Sequence, residues 1–208
     1  MHFAALDARA QLCDYSQRRR RLGTDQRDAY YMGVALAVRR GARCLGQRVG
    51  AVLVRDDRII STGYNGTPTG MKNCDEGGCR RCASRAASDQ DAAVGFASGE
   101  GYDVCVCVHA EQNALLSAAR FGNAVGGSTL YTTTQPCYGC FKEAVQAGIR
   151  RIVYLHPWEH PRHPEFYADL LRQFEANGGA CACLQGLIDP DEAWARGRSA
   201  ERSGEGKP

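Results

Sequence analysis

Apolar residues recur at helical spacing from Asp28 to Arg40, "DAYYMGVALAVRR", and Gly41 marks the stop. Two short apolar runs follow, "GAVLVR" (50–55) and "RIISTGYN" (58–65), joined by Asp56-Asp57 in the manner of a β-hairpin. The pattern then lapses. Residues 66–104 are rich in Gly, Asp, Ser and Cys and too long for a simple connection, which predicts a functional or metal-stapled insert. Periodicity returns as a helix over 109–121, a strand at 128–134, a helix at 137–147, a strand at 150–155, a helix at 164–176 and a short strand at 180–185. A hairpin followed by helix–strand alternation predicts an α/β fold: a three-layer α/β/α sandwich around a mixed five-stranded sheet whose later strands are parallel. In such a sheet the helix N-termini gather at one edge.

The same pattern divides the chain into an N-terminal arm (1–26), one domain (27–187) that carries the cysteine-rich insert (66–107), and a tail (188–208) with the composition of disorder. A chain of 208 residues is long enough to bury a real core, and its 44% hydrophobic and 24% charged content is ordinary. The net charge of +3 is too small to argue for nucleic acid, and the arginines Arg18 to Arg21 read as a solvated arm. No stretch approaches the apolar length of a membrane span, and Asp7 and Arg9 interrupt the place where a secretion signal would be apolar, so a cytoplasmic protein is expected. In that compartment the eleven cysteines are not a disulfide framework, and the two C-x-x-C pairs, Cys79/Cys82 and Cys137/Cys140, read as metal ligands.

The helix at 109–121, expected to bury Leu115, Leu116, Ala119 and Phe121, opens on two titratable side chains where a cap would call for Ser, Thr, Asp or Asn. These are His109 and Glu111. The H-x-E spacing alone is weak, because "HPE" at 163–165 matches it as well; that copy holds a proline, has no C-x-x-C beyond it and reads as a loop. What strengthens the first copy is "QPCYGC". Cys137 and Cys140 open the next long helix, share a face, and sit at the positive end of the helix dipole, which favours their thiolates. With His109 as third ligand, the fourth tetrahedral position of a zinc ion stays open to water, the pattern of a catalytic rather than a structural site. Glu111 is then placed to carry a proton from that water to a ring nitrogen and on to a leaving amine. H-x-E followed by P-C-x-x-C is the spacing of zinc-dependent nucleobase deaminases.

Three stretches, "QRVGAVLVRDDRIISTGYNGTPTG", "HAEQNALLSAARFG" and "TLYTTTQPCYGCFKEAVQAGIRRIVY", together resemble the deoxycytidylate (dCMP) deaminase family of the cytidine deaminase superfamily, over about residues 28–185. The resemblance implies a cytidine deaminase-like fold, zinc on His109, Cys137 and Cys140, Glu111 as proton shuttle, and hydrolysis of dCMP to dUMP and ammonia. It implies a second, structural zinc on four of Cys44, Cys74, Cys79, Cys82 and Cys107; which four is left open. Cys105 belongs to the same cluster of first-half cysteines, whereas Cys13, Cys181 and Cys183 have no such neighbours and read as structural. Asn65 in the Y-N-G turn, Ala110 within H-A-E, and Trp158, where the family typically carries tyrosine, are implied as substrate contacts. A homo-oligomer (dimer or hexamer), dCTP and dTTP as effectors, and Mg2+ accompanying a nucleotide effector are further expectations of the same kind. Trp158, Gln135 and the histidines 156, 160 and 163 depart from the familiar pattern, so the alternative is a deaminase of a modified cytosine nucleotide or natural product. A tRNA or single-stranded DNA deaminase would need a basic or aromatic platform, and only the arginine arm offers one. A catalytically silent zinc module would have no use for Glu111.

Overall fold

Strand β1 (Gly50–Arg55) turns Ala51 and Leu53 to one side and Val52 and Val54 to the other, and all four are buried. Side chains alternate along a strand, so a strand apolar on both faces needs a layer on each. The computed structural model, which describes residues 26–86, 96, 101–160, 162–184 and 186–197, supplies both layers. Residues 1–25, including Cys13 and Arg18 to Arg21, and residues beyond 197 lie outside the described residues. On one face α1 (Gln26–Arg39) sets Tyr31, Met32 and Ala35 against Val52, Val54, Tyr131 and Val153. On the other, Ala51, Leu53, Leu130 and Ile152 meet three helices: α3 (Ala110–Arg120), α4 (Tyr138–Gln146) and α5 (Pro164–Ala176).

The sheet has five strands in the order β2-β1-β3-β4-β5, with β2 Arg58–Tyr64, β3 Thr129–Thr134, β4 Arg151–His156 and β5 Ala180–Cys183. β1 is antiparallel to both β2 and β3, whereas β3, β4 and β5 run parallel. The mixed sheet expected from the pattern is therefore the one formed. Asp56 and Asp57 turn the hairpin at φ 52° and 55°, a left-handed pair that aspartate tolerates and that matches the twist of the flanking strands. Two short elements were not anticipated: α2 (Arg80–Ala86) inside the insert, preceded by a 3-10 turn at Cys74–Glu76, and α6 (Glu192–Ala195).

Helix α3 differs from expectation in the face it buries. Ala110, Ala114 and Ala118 are sealed in the core, while Leu116 is 59% and Phe121 72% exposed. The cause lies on β2. A Cβ added to Gly63 would stand 2.3 Å from the Ala110 carbonyl oxygen and 2.4 Å from the Ala114 nitrogen. The helix lies too close to the strand for leucine, so an alanine face is the one that fits.

The chain also stays packed past the point where a tail was expected. Asp189, with its side chain 1% exposed, accepts hydrogen bonds from Arg39 Nη1 at 2.6 Å and Nη2 at 2.7 Å and sits 2.7 Å from His156 Nε2. Composition signals disorder through its shortage of apolar residues; here a buried ion pair helps to fix the segment, together with buried Ala195, whose carbonyl accepts from the Arg48 backbone N–H at 2.7 Å.

Candidate metal centre and substrate cavity

Val108 bridges to Gly66 and delivers the chain to His109 in an extended conformation, φ −70° and ψ 160°, at the cap position of α3. The helix is closed there by Gln112, whose Oε1 accepts the His109 backbone N–H at 3.0 Å. Pro136 ends the stretch after β3, and Cys137 caps α4 in the same extended geometry, with Cys140 one turn inside. His109 Nδ1 lies 3.5 Å from Cys137 Sγ and 3.3 Å from Cys140 Sγ. Bonds of about 2.05 Å to nitrogen and 2.3 Å to sulfur in a tetrahedron require an N···S edge of about 3.6 Å. The donor set therefore fits zinc in both chemistry and spacing.

Burial disfavours protonation of His109, but the thiolate character of Cys137 overrides it and carries the imidazole up to about 9. The Cys137 thiol is drawn down to about 4, chiefly by its hydrogen bond with Cys140 and then by His109. A metal ion binding such a set displaces protons, so its affinity rises with pH. Glu111, only 4% exposed, is a buried carboxylate at this corner. Burial pushes it up to about 7, with His109 opposing, and the Thr132 hydroxyl faces its Oε1 at 3.4 Å.

These groups form the floor of a cavity of about 610 Å³. Ala110, fully buried, and Asn65, 6% exposed, are among its lining residues. The Asn65 amide is engaged with the backbone before β1: Oδ1 accepts from Val49 N at 2.7 Å and Nδ2 donates to the Gln47 carbonyl at 2.8 Å. Trp158 also lines the cavity. Its backbone N–H donates to Gln135 Oε1 at 3.1 Å, and its ring meets that of Tyr167 edge-on at 5.8 Å. The second H-x-E copy is not among the lining residues: His163 stands at the cap position of α5 and Pro164 opens it.

Sequence reasoning passed over Arg48, Arg81, Arg196 and Tyr102, which line the same cavity. Tyr102 stands edge-on to His109 at 5.2 Å, and the Arg81 guanidinium lies 4.7 Å from the Tyr102 ring centre. Arg48 stands in the stretch 47–70 that carries the family resemblance, but the others belong to no motif: Arg81 comes from the short helix α2, Tyr102 from a loop and Arg196 from the turn that ends α6. Beside this wall the buried thiols of Cys44, Cys74, Cys82 and Cys107 lie within 4.8 Å of one another, and so do those of Cys79, Cys82, Cys105 and Cys107.

Residues 25–156 match the model of the cytidine and deoxycytidylate deaminase zinc-binding region. The chain belongs to this family. Among curated members, it is 44% identical over 128 residues to a deoxycytidylate deaminase of Schizosaccharomyces pombe, a match covering 61% of this chain and 36% of that one. It is 40% identical over 127 residues to the deoxycytidylate deaminase of Mycobacterium phage D29, covering 61% and 92% respectively. This deaminase-family chain thus spans little more than a third of the yeast relative. Among solved structures, dCMP deaminase from the cyanophage S-TIM5, in complex with dCMP and dUMP, superposes with a TM-score of 0.53 at 26% identity, covering 74% of this chain and 94% of that one.

Proposed function

We propose that the protein hydrolyses a cytosine nucleotide, dCMP, to dUMP and ammonia, with zinc held by His109, Cys137 and Cys140. The observation that carries this reading is the placement of buried Glu111 beside a three-ligand metal set at the floor of a cavity. Family membership and the names of its relatives supply the substrate class. Zinc bound there supplies the Lewis acidity that makes water a nucleophile at neutral pH. Glu111 carries one proton of the attacking water to the ring nitrogen and then the second, from the hydroxyl left on the ring carbon, to the departing amine as the C–N bond breaks and the carbonyl forms; a carboxyl held near neutrality is suited to both directions.

Specificity rests on the rest of the wall. Trp158 packs against the base or sugar, the Ala110 methyl leaves room for the ring, and Asn65 bonds the sugar with the donor hydrogen it has not given to Gln47. Arg48, Arg81 and Arg196 provide a positive field suited to the phosphate. The buried cysteines of the insert hold a second, structural zinc, Cys44, Cys74, Cys82 and Cys107 being one set that can do so. The protein assembles with copies of itself, a reading supported by exposed Leu116 and Phe121 beside α3 and exposed Ile59 and Tyr64 on the edge strand β2, and dCTP and dTTP act on that assembly.

Ammonia release from dCMP, CMP, dCTP, deoxycytidine, 5-substituted dCMP and a cytosine-containing single-stranded oligonucleotide tests the reading. The expected order places dCMP first. Preference for the oligonucleotide, or no turnover of any nucleotide by zinc-loaded protein, overturns it; preference for the 5-substituted nucleotide transfers the reading to a modified base.

A further inference from the structure

The two cysteine quartets are not alternatives in space. They share two members, Cys82 and Cys107, and between them they use six thiols: Cys44 and Cys74 on one side, Cys79 and Cys105 on the other. All six are free thiols, and five of them are buried. The Cys82 and Cys107 sulfurs lie 3.9 Å apart. On one side Cys44 is 3.7 Å from Cys82, and Cys74 is 2.8 Å from Cys107. On the other, Cys79 is 3.8 Å from Cys105, which is 3.9 Å from Cys82. A tetrahedron with Zn–S bonds of about 2.3 Å has S···S edges of about 3.8 Å. Four of these five separations match that edge, and one of the four, Cys82 to Cys107, is the edge that both tetrahedra would share.

We propose that this cluster binds two zinc ions as a single binuclear thiolate site, with Cys82 and Cys107 each bridging both ions, Cys44 and Cys74 completing one tetrahedron, and Cys79 and Cys105 completing the other. The proposal rests on the metal-bearing insert of the preceding reading and goes beyond it in the number of ions and the sharing of sulfur. A lone ion on Cys44, Cys74, Cys82 and Cys107 leaves Cys79, fully buried, and Cys105 as bystanders within 4.8 Å of the ligand sulfurs of Cys82 and Cys107. Two ions use every sulfur, and sharing two thiolates keeps the charge the same: four positive charges against six negative leave two negative, as one ion with four thiolates does. Arg81, whose Nη1 approaches Cys105 Sγ at 3.9 Å, brings a cation to the more open end, where thiolate is favoured. The sharing also makes sense of sequence. Cys82 comes from α2 and Cys107 from the residue pair that precedes His109, so the bridge ties the insert to the start of α3.

The test uses full-length protein purified under reducing conditions and loaded with zinc alone. Native mass spectrometry and elemental analysis are expected to give three zinc ions per chain, one at His109, Cys137 and Cys140 and two in the cluster. X-ray absorption is expected to show a metal–metal distance of about 2.7 Å, which regular edge-sharing tetrahedra with Zn–S bonds near 2.3 Å require. Cys105→Ser, at the partly exposed end and with folding checked by circular dichroism, is expected to bind two ions and to lose the metal–metal signal. Two ions in the wild type without that signal overturn the binuclear site while leaving a single structural zinc; one ion in the wild type overturns both.

Discussion

Replacing Gly63 by alanine is a change of one methyl group, distant in sequence from every candidate ligand, and the structure gives its effect a size. The new Cβ would stand 2.3 Å from the Ala110 carbonyl oxygen, where ordinary contacts begin at 3.4 Å, so α3 must retreat from β2 by about 1 Å. The atoms it meets are backbone and cannot rotate away. Overpacking of this kind costs about 1–3 kcal/mol, and each kcal/mol lowers Tm by roughly 2–4 °C in a chain of this length. The displaced residues are the ones that begin at His109 and Glu111, and a shift of about 1 Å at reacting groups is enough to reduce turnover by about 10²-fold. Gly33 provides the control, since nothing lies within 4 Å of the Cβ it would gain and it is exposed in α1. Gly33→Ala should stabilise the helix by up to about 1 kcal/mol and leave turnover unchanged. Thermal melts, zinc retention against a chelator and dCMP turnover on both variants decide the matter. A Gly63→Ala protein that melts, holds zinc and turns over like the wild type refutes the claim that close approach seats the first turn of α3.

Glu111→Gln should keep zinc and fold while losing about 10²- to 10⁴-fold in kcat, because the amide preserves size but cannot carry a proton; retention of more than about a tenth of activity removes Glu111 from its role. Trp158→Ala should raise KM and reduce kcat/KM roughly 5- to 150-fold, the worth of about 1–3 kcal/mol of aromatic contact, with zinc content unchanged, and Trp158→Tyr should recover most of the loss. Asp189 titrates at about 2 because, although burial raises it, hydrogen bonds from Arg39, His156 and the Asp191 backbone N–H more than offset burial; its folded value lies below its ordinary 3.8, so its contribution of about 2 kcal/mol is present above pH 4 and fades as pH falls toward 2. Asp189→Asn should abolish that acid-side slope in urea titrations and destabilise the protein by about 3–5 kcal/mol at neutral pH, because Arg39 is left as a buried cation; an unchanged midpoint at pH 7 contradicts the assignment.

The order of helices and strands could be read because β1 and β4 are apolar on both faces, β3 is rich in β-branched and aromatic residues, and the turns between them carry local signals such as Asp56-Asp57. The metal set could be read for a related reason: His109, Glu111, Cys137 and Cys140 are specified by short spacings at two helix starts. Periodicity failed at α3, where leucine and phenylalanine outweigh alanine on any hydrophobicity scale but the distance to Gly63 selects by size. It failed again for the cavity wall. Arg48, Arg81 and Tyr102 become neighbours only through tertiary folding, and Cys105 joins the cluster by its distance to Cys79 and Cys82, not by a recognisable spacing. The ordered segment after β5 escaped notice because its anchor, Asp189, finds Arg39 150 positions away.

That anchor determines where the molecule can be shortened. Glu192, Ala195 and Arg196 line the cavity, Arg48 donates to the Trp194 carbonyl at 2.6 Å, and Asp189 neutralises a guanidinium that is itself 1% exposed. A protein ending at residue 187 would lose one side of its cavity and keep Arg39 charged in the core with no anion, whereas one ending at 197 would keep both features. Limited proteolysis should accordingly stop short of α6, and a truncated form judged by hydrophobic content to be complete should be the unstable one.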